Sequence, residues 1–327
     1  MFGFNASPPE PYLEAPSLSF LIARHPLKGL LHTAYNLVNG LRTEPRPRPD
    51  RRPVRIVCIS DTHTLIPGTV PDGDVLIHAG DLTNDGTVAD LQKKIDWIDS
   101  LPHTYKIAIA GNHDTYLDPK TRVSLPAAQR ADGLLSWKSI HYLQHSAVTL
   151  AFPSGRHLKF YGAPQIPACG PYETFAFQHP RSEDTWTGTV PDDTDILITH
   201  APPKHHRDIP VPSGLGCGFL LAEVRRVKPI CHIFGHVHWG AGRELCWWEG
   251  VQDAYERGLE APAGRGLWSL MSLRLWASLA TVVVFGFWKA AWSRVSPASS
   301  SPTIMVNAAQ MKGHTGRLGN PPQVLDI

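Results

Sequence analysis

VRIVCISDTH (54–63), DVLIHAGD (74–81) and KIAIAGNHD (106–114) decide the fold, because each is an apolar run of strand length ending in side chains able to bind a metal. DILITH (195–200) and CHIFGHVH (231–238) repeat the arrangement further along. Near-continuous apolar strands are what a sheet buried on both faces requires. Between them the sequence predicts helices over roughly 87–100, 124–137 and 217–227. AVTL (147–150) and HLKFYG (157–162) read as a further strand pair. The expected class is therefore α/β.

The polar residues at the strand ends carry the chemistry. In extended chain, residues i and i+2 point to the same side, so Asp61 and His63 of SDTH can aim at one ion. Asp81 follows Gly80, and a second carboxylate there can bridge two cations. In GNHD, Asn112 offers a neutral oxygen, and His113 can give a proton to a leaving group. Asp114 can orient that ring or organise the loop. His200 closes its strand, and His236 with His238 repeats the i, i+2 spacing. Each motif alone has a plain structural reading as a turn, cap or loop. Together they all fall at strand ends, the place where open α/β sheets bind ligands. Carboxylate, imidazole and amide donors without thiolate suit Mn, Fe, Zn or Mg and do not choose among them.

In this order, D-x-H, GD, GNH(D), H and GHxH resemble the calcineurin-like metallophosphoesterase superfamily. The resemblance runs from about Val54 to Trp239, and weakly to the C-terminus. THAPP (199–203), GLGCGFLLAEVRRVKP (214–229), HIFGHVH (232–238) and VNAA (306–309) are similar to the small MPPED-type metallophosphoesterases, fungal members included. The resemblance implies a four-layer α/β/β/α sandwich. It implies one metal held by Asp61, His63 and His238, a second held by Asn112, His200 and His236, Asp81 bridging them, and His113 as general acid. The implied reaction is hydrolysis of phosphodiesters or phosphomonoesters, cyclic nucleotides among them, with a metal-bridging hydroxide as nucleophile.

Two rival classes are weighed. A non-catalytic scaffold of the same fold would be expected to lack ligands, and here the set is complete. For a nucleic-acid enzyme, the net charge of +2 gives no strong field, and only Trp247 and Trp248 suggest base stacking. The five cysteines are odd in number and have no CxxC spacing, so they read as reduced small hydrophobes. The first apolar run does not read as a secretory signal, and a reducing, cytoplasmic setting is expected.

The 327 residues suit one large domain with additions. Residues 1–53 read as an N-terminal arm, with a helix from Leu27 to Leu41 behind Pro26 and a linker RTEPRPRPDRRP (42–53). Residues 54–327 form the catalytic domain, interrupted by an apolar insertion at 250–303. Within it, Leu267 to Trp288 has about the length of a bilayer span, broken by Arg274. IMVNAA (304–309) and VLDI (324–327) read as strands again. If IMVNAA joins the catalytic sheet, a single span would strand it across the membrane from its partners. A helix packed on a soluble domain is the first expectation, and peripheral contact with a membrane surface the second.

Overall fold

The computed structural model describes residues 22–42, 52–208, 214–262, 266–295 and 301–327. One sheet is built from β1 (Arg55–Ile59), β2 (Val75–Ala79), β3 (Tyr105–Ile109), β4 (Ile140–Tyr142) and β13 (Gln323–Asp326). Its order is β13-β1-β2-β3-β4, parallel except for β13. The other holds β5 (Ser146–Ala151), β6 (His157–Ala163), β9 (Ile196–Thr199), β10 (Cys231–Phe234), β11 (Gly242–Cys246) and β12 (Thr303–Asn307). Its order is β11-β12-β10-β9-β6-β5, with antiparallel strands at both edges. A short pair, β7 (Ile166–Pro167) and β8 (Gln178–His179), stands apart.

The period of two along each strand sorts its side chains between two cores. Ile56, Cys58, Val75, Ile77, Ile107 and Ile109 point into the space between the sheets, where they meet Phe160, Ile196, Ile198, Ile233 and Val306. Val57, Ile59, Leu76 and Ala108 point outward, against α2 (Val88–Ser100). Thr87 caps that helix by accepting the Asp90 N–H at 3.2 Å, and Leu91, Ile95 and Ile98 are its buried stripe. On the far side, Leu197, Phe234 and Met305 pack on Leu220 and Val224 of α4 (Gly218–Val227) and on Trp186. The layers are α/β/β/α, as the resemblance implies. The remaining short helix, α3 (Pro119–Arg122), lies in the loop after β3.

A third core belongs to α1 (Pro26–Leu41), α5 (Gly250–Glu260) and α6 (Leu273–Val295). Leu27, Leu31 and Tyr35 meet Val251, Tyr255 and Leu259, and Leu275, Leu279 and Val282 close the trio. α5 follows β11 and α6 precedes β12, so these two are spliced between neighbouring strands at the edge of the second sheet, and α1 joins them from ahead of β1.

Two local expectations change. Residues 124–137 do not form a helix: Pro126 and Gly133 interrupt the stretch, Gly133 with φ +75°, and only a turn of 3₁₀ helix at Ala127–Gln129 remains. β11 is an additional strand, pairing Gly242 to Cys246 with Asn307 to Thr303. Its five residues are too short to show a clear alternation.

Candidate metal centre

The strand ends converge. Asp61 and His63 follow β1, Asp81 follows β2, Asn112 and His113 follow β3, His200 follows β9, and His236 and His238 follow β10. Ligand atoms of Asp61, His63 and His238 lie within 4.8 Å of one another, as do those of Asp81, His200 and His236. Those of His63, Asp81 and His113 do the same, which joins the groups at Asp81. Asn112 Oδ1 stands 3.0 Å from His200 Nε2. All seven predicted ligands and His113 therefore face one pocket.

To turn out of their strands, Asp61, His63, Asp81 and His236 adopt left-handed backbone, with φ of 51°, 45°, 51° and 65°. Such conformations cost roughly 1–3 kcal/mol each outside glycine. They are held by cross-links between loops. The Asp61 N–H donates to Gly80 O at 3.0 Å and the His63 N–H to Asp81 O at 3.1 Å. The His236 N–H donates to the Asp61 carboxylate at 3.0 Å. Glycines make room for the carboxylates. A Cβ on Gly235 would lie 2.1 Å from Asp61 Oδ2, and one on Gly80 would lie 2.5 Å from His200 Nδ1.

Backbone carbonyls aim the rings. Ala79 O is 2.9 Å from His200 Nδ1, Gly313 O is 2.8 Å from His238 Nδ1, and Asn84 O is 2.8 Å from His113 Nδ1. A carbonyl only accepts, so each Nδ1 carries a hydrogen and each Nε2 is the nitrogen turned inward. There ring nitrogens crowd against one another and against the carboxylates. His238 Nε2 is 3.3 Å from both His63 Nε2 and Asp61 Oδ1, and His200 Nε2 is 3.3 Å from Asp81 Oδ2.

The electrostatics say what such a cluster lacks. Burial alone would raise Asp61 and Asp81, yet His238 and His200 beside them hold both well below the usual carboxylate range. In return, burial that would lower His200 is outweighed by Asp81, which pushes it up to about 9. His238 is raised by Asp61 against the same burial penalty. His236 and His63 go the other way, lowered by burial, His236 to about 3. Two buried carboxylates thus demand positive charge, and protons on imidazoles supply it unless cations do. Divalent ions fit this donor set.

Sequence reasoning missed the supporting contacts. Of the two roles expected for Asp114, the structure shows the organising of the loop, and the His113 ring is held by Asn84 O. The Asp114 carboxylate accepts the N–H groups of Gly111 at 2.8 Å, Leu82 at 3.1 Å and Thr83 at 3.0 Å, tying the loop after β3 to the loop after β2. Burial, reinforced by Asp81, raises it to about 6. His78 and His232 are buried inside β2 and β10 and are not ligands. They bond Thr62 Oγ1 at 2.9 Å and Thr199 Oγ1 at 2.8 Å, next to Asp61 and His200. A further group, His206, Cys246 and Glu256, lies where α5 meets the second sheet, and Arg225 pairs with Glu256 there. Trp247, a candidate base-stacking residue, is buried under the Arg42 guanidinium at 3.9 Å, and Trp248 donates to Thr303 Oγ1 at 2.8 Å.

A two-sheet sandwich with this donor set at its strand ends defines a metallophosphoesterase fold. The model of the calcineurin-like phosphoesterase family matches residues 54–240, more than half of the chain, and the chain belongs to that family. It is 37% identical over 244 residues to human metallophosphoesterase domain-containing protein 1, covering 64% of this chain and 71% of that one. The UPF0046 protein K07C11.7 of Caenorhabditis elegans is 39% identical over 194 residues, with 57% of this chain and 63% of that one covered. A protein of Emericella nidulans named probable rhamnogalacturonate lyase C is 40% identical over 262 residues. That match takes in 80% of this chain and 23% of the fungal protein. The family supports a hydrolase of the phosphoesterase type, with divalent metals as its usual cofactors.

Proposed function

We propose that the chain hydrolyses small phosphoesters, phosphodiesters such as cyclic nucleotides among them, with two divalent metal ions. The carrying observation is the inward cluster of ligand atoms, in which His63 and His238 present ring nitrogens to each other at 3.3 Å beside two buried carboxylates. Asp61, His63 and His238 would hold one ion, Asn112, His200 and His236 the other, and Asp81 would be shared. Such a pair, when bound, lowers the pKa of water toward neutrality and offsets charge on phosphoryl oxygens.

The protein's own groups supply the rest. His113 is half-buried at the edge of the cluster, its ring 4.8 Å from that of His63. With Nδ1 fixed on the Asn84 carbonyl, Nε2 is the nitrogen that protonates a departing alkoxide. Its backbone N–H donates to Asp81 Oδ1 at 2.9 Å, which fixes the distance between the acid's backbone and the carboxylate that would be shared. Phe175, with its ring 4.9 Å from that of His113, walls the same side.

The test uses the full chain. Elemental analysis should find two metals per chain, and a panel of cyclic nucleotides, nucleotides and p-nitrophenyl phosphodiesters should turn over with Mn or another divalent ion added. Two bound metals with no turnover of any substrate would make the protein a scaffold on an enzyme fold.

A further inference from the structure

We propose that the helical trio docks on the surface of an anionic lipid bilayer, with α6 lying in the membrane plane. A helix that is apolar all round is normally covered on every side. α6 is long and apolar enough to cross a membrane, yet only 33% of its most apolar stretch is buried within the protein. One stripe, Leu275, Leu279, Val282, Gly286 and Ala290, faces the interior. The outward surface carries Trp276, Val284, Phe285, Trp288 and Trp292, and Leu267 and Trp268 continue it at more than three-quarters exposed (78% and 76%). Leu30 and Leu37 of α1 are exposed as well. An unbroken apolar surface of this kind marks a partner or a membrane.

Three observations select the bilayer. The first is charge. Residues 261–325 contain no Asp or Glu, while Arg265, Arg274, Lys289 and Arg294 fall in or beside the apolar segment. Residues 26–41 also lack acids; Lys28 there is buried on Leu259 O and Lys289 pairs with Glu249, so the exposed arginines carry the charge. Arg274 and Arg294 are exposed near the two ends of α6, where their stems can lie along apolar surface and their heads reach phosphate. The second is the tryptophans. Trp268, Trp276, Trp288 and Trp292 are all exposed along the length of the outward surface, where a helix lying in the plane holds each at the same depth, and indoles favour the headgroup boundary. The third is topology. β12 returns to the second sheet beside β10, so the chain after α6 is on the catalytic side. The link SPASSSP (296–302) is too polar to recross a hydrocarbon core. α6 therefore lies on the membrane and does not span it.

Flotation tests this without reference to hydrolysis. The full chain is mixed with phosphatidylcholine vesicles, with or without phosphatidylserine, and centrifuged through a density gradient. It should float with the phosphatidylserine vesicles, and its tryptophan fluorescence should shift to the blue. The variant Trp276→Ser/Phe285→Ser/Trp288→Ser should bind the vesicles at least about tenfold more weakly, since three large apolar contacts are lost. These side chains are exposed, and an unchanged melting temperature confirms the fold. Arg274→Glu/Arg294→Glu should abolish the preference for phosphatidylserine. Equal flotation with neutral vesicles overturns the electrostatic part. A chain that stays at the bottom with both vesicles overturns the proposal, and if it is then a dimer that the triple variant splits, the surface binds a second copy.

Discussion

At the mouth of the sandwich, Asp61, Asp81 and His200 are sealed from solvent among loops that hydrogen-bond to one another. On α6, Trp276, Val284, Phe285 and Trp288 stand in the open on a helix with no acidic residue. The two regions break the usual burial rule in opposite directions. Burying a charge is costly unless a counter-charge meets it, and exposing a large apolar surface is costly unless something covers it. Each departure therefore points outside the polypeptide, the first to cations and the second to a covering surface, which we propose is lipid. The difference between them is rigidity. The candidate metal centre is cross-linked backbone to backbone, while the outward face of α6 has only side-chain contacts such as Trp276 Nε1 to Leu270 O and Trp288 on Trp292.

The largest test of that contrast is Asp81→Asn. It removes the carboxylate that faces both His63 and His200, at 3.6 and 3.3 Å. Turnover should fall about a thousandfold or more. Elemental analysis should find at least one metal lost, and flotation should be untouched. Full metal occupancy would refute the shared-carboxylate role. Next in size is His113→Ala. It should lower turnover about a hundredfold on alkyl phosphodiesters, which need a proton on the leaving oxygen. p-Nitrophenyl esters need none and should be nearly unaffected, with metal content intact. An equal loss on both substrates would remove the acid assignment.

A pair of glycines compares the regions directly. A Cβ at Gly235 would meet Asp61 Oδ2 at 2.1 Å, inside the cross-linked loops. One at Gly258 would meet Leu31 Cδ2 at 2.3 Å, the far end of a flexible side chain. Gly235→Ala should cost about 3 kcal/mol and most of the activity, and Gly258→Ala about 1 kcal/mol with activity retained. Urea unfolding and steady-state rates measure both. Equal costs would show that the helical core is as unyielding as the metal centre.

What was legible in the sequence follows the same division. Asp61, His63, Asp81, Asn112, His200, His236 and His238 announce themselves because a strand's apolar run stops at each, and side-chain identity is the whole signal. The carbonyls of Ala79, Asn84 and Gly313 that aim three rings were invisible, because any residue supplies a carbonyl and only the folded path brings it to the ring. For Asp114 the sequence left two roles open, and only the folded path selects the loop-organising one, through backbone groups of the loop after β2. The helix over 124–137 failed where Pro126 and Gly133 outweigh a run of helix formers. The reach of α6 to Val295 was hidden by Arg274 and Lys289, which interrupt an apolar count and leave a helix intact.

The seam between the two regions gives the smallest effect and the one most sensitive to pH. His206, in the loop after β9, stands 2.7 Å from Glu244 of β11 and 3.4 Å from Glu256 of α5. Burial opposes charge on its ring, but Cys246, Glu244 and Glu256 outweigh it and hold the pKa well above the ordinary imidazole value. Burial likewise opposes charge on Glu244 and Glu256, and His206 keeps both low. A raised histidine stabilises the fold fully below its unfolded pKa of about 6.5 and loses that contribution as pH rises through the folded value. Depressed carboxylates do the reverse, stabilising above their unfolded value of about 4.3 and failing as pH falls. The seam is therefore strongest between these limits. His206→Gln should lower the melting temperature near neutral pH by about 3 °C and flatten its decline on the alkaline side. A variant whose melting temperature falls with rising pH in parallel with the unchanged chain would show that the imidazolium does not hold the trio to the sandwich.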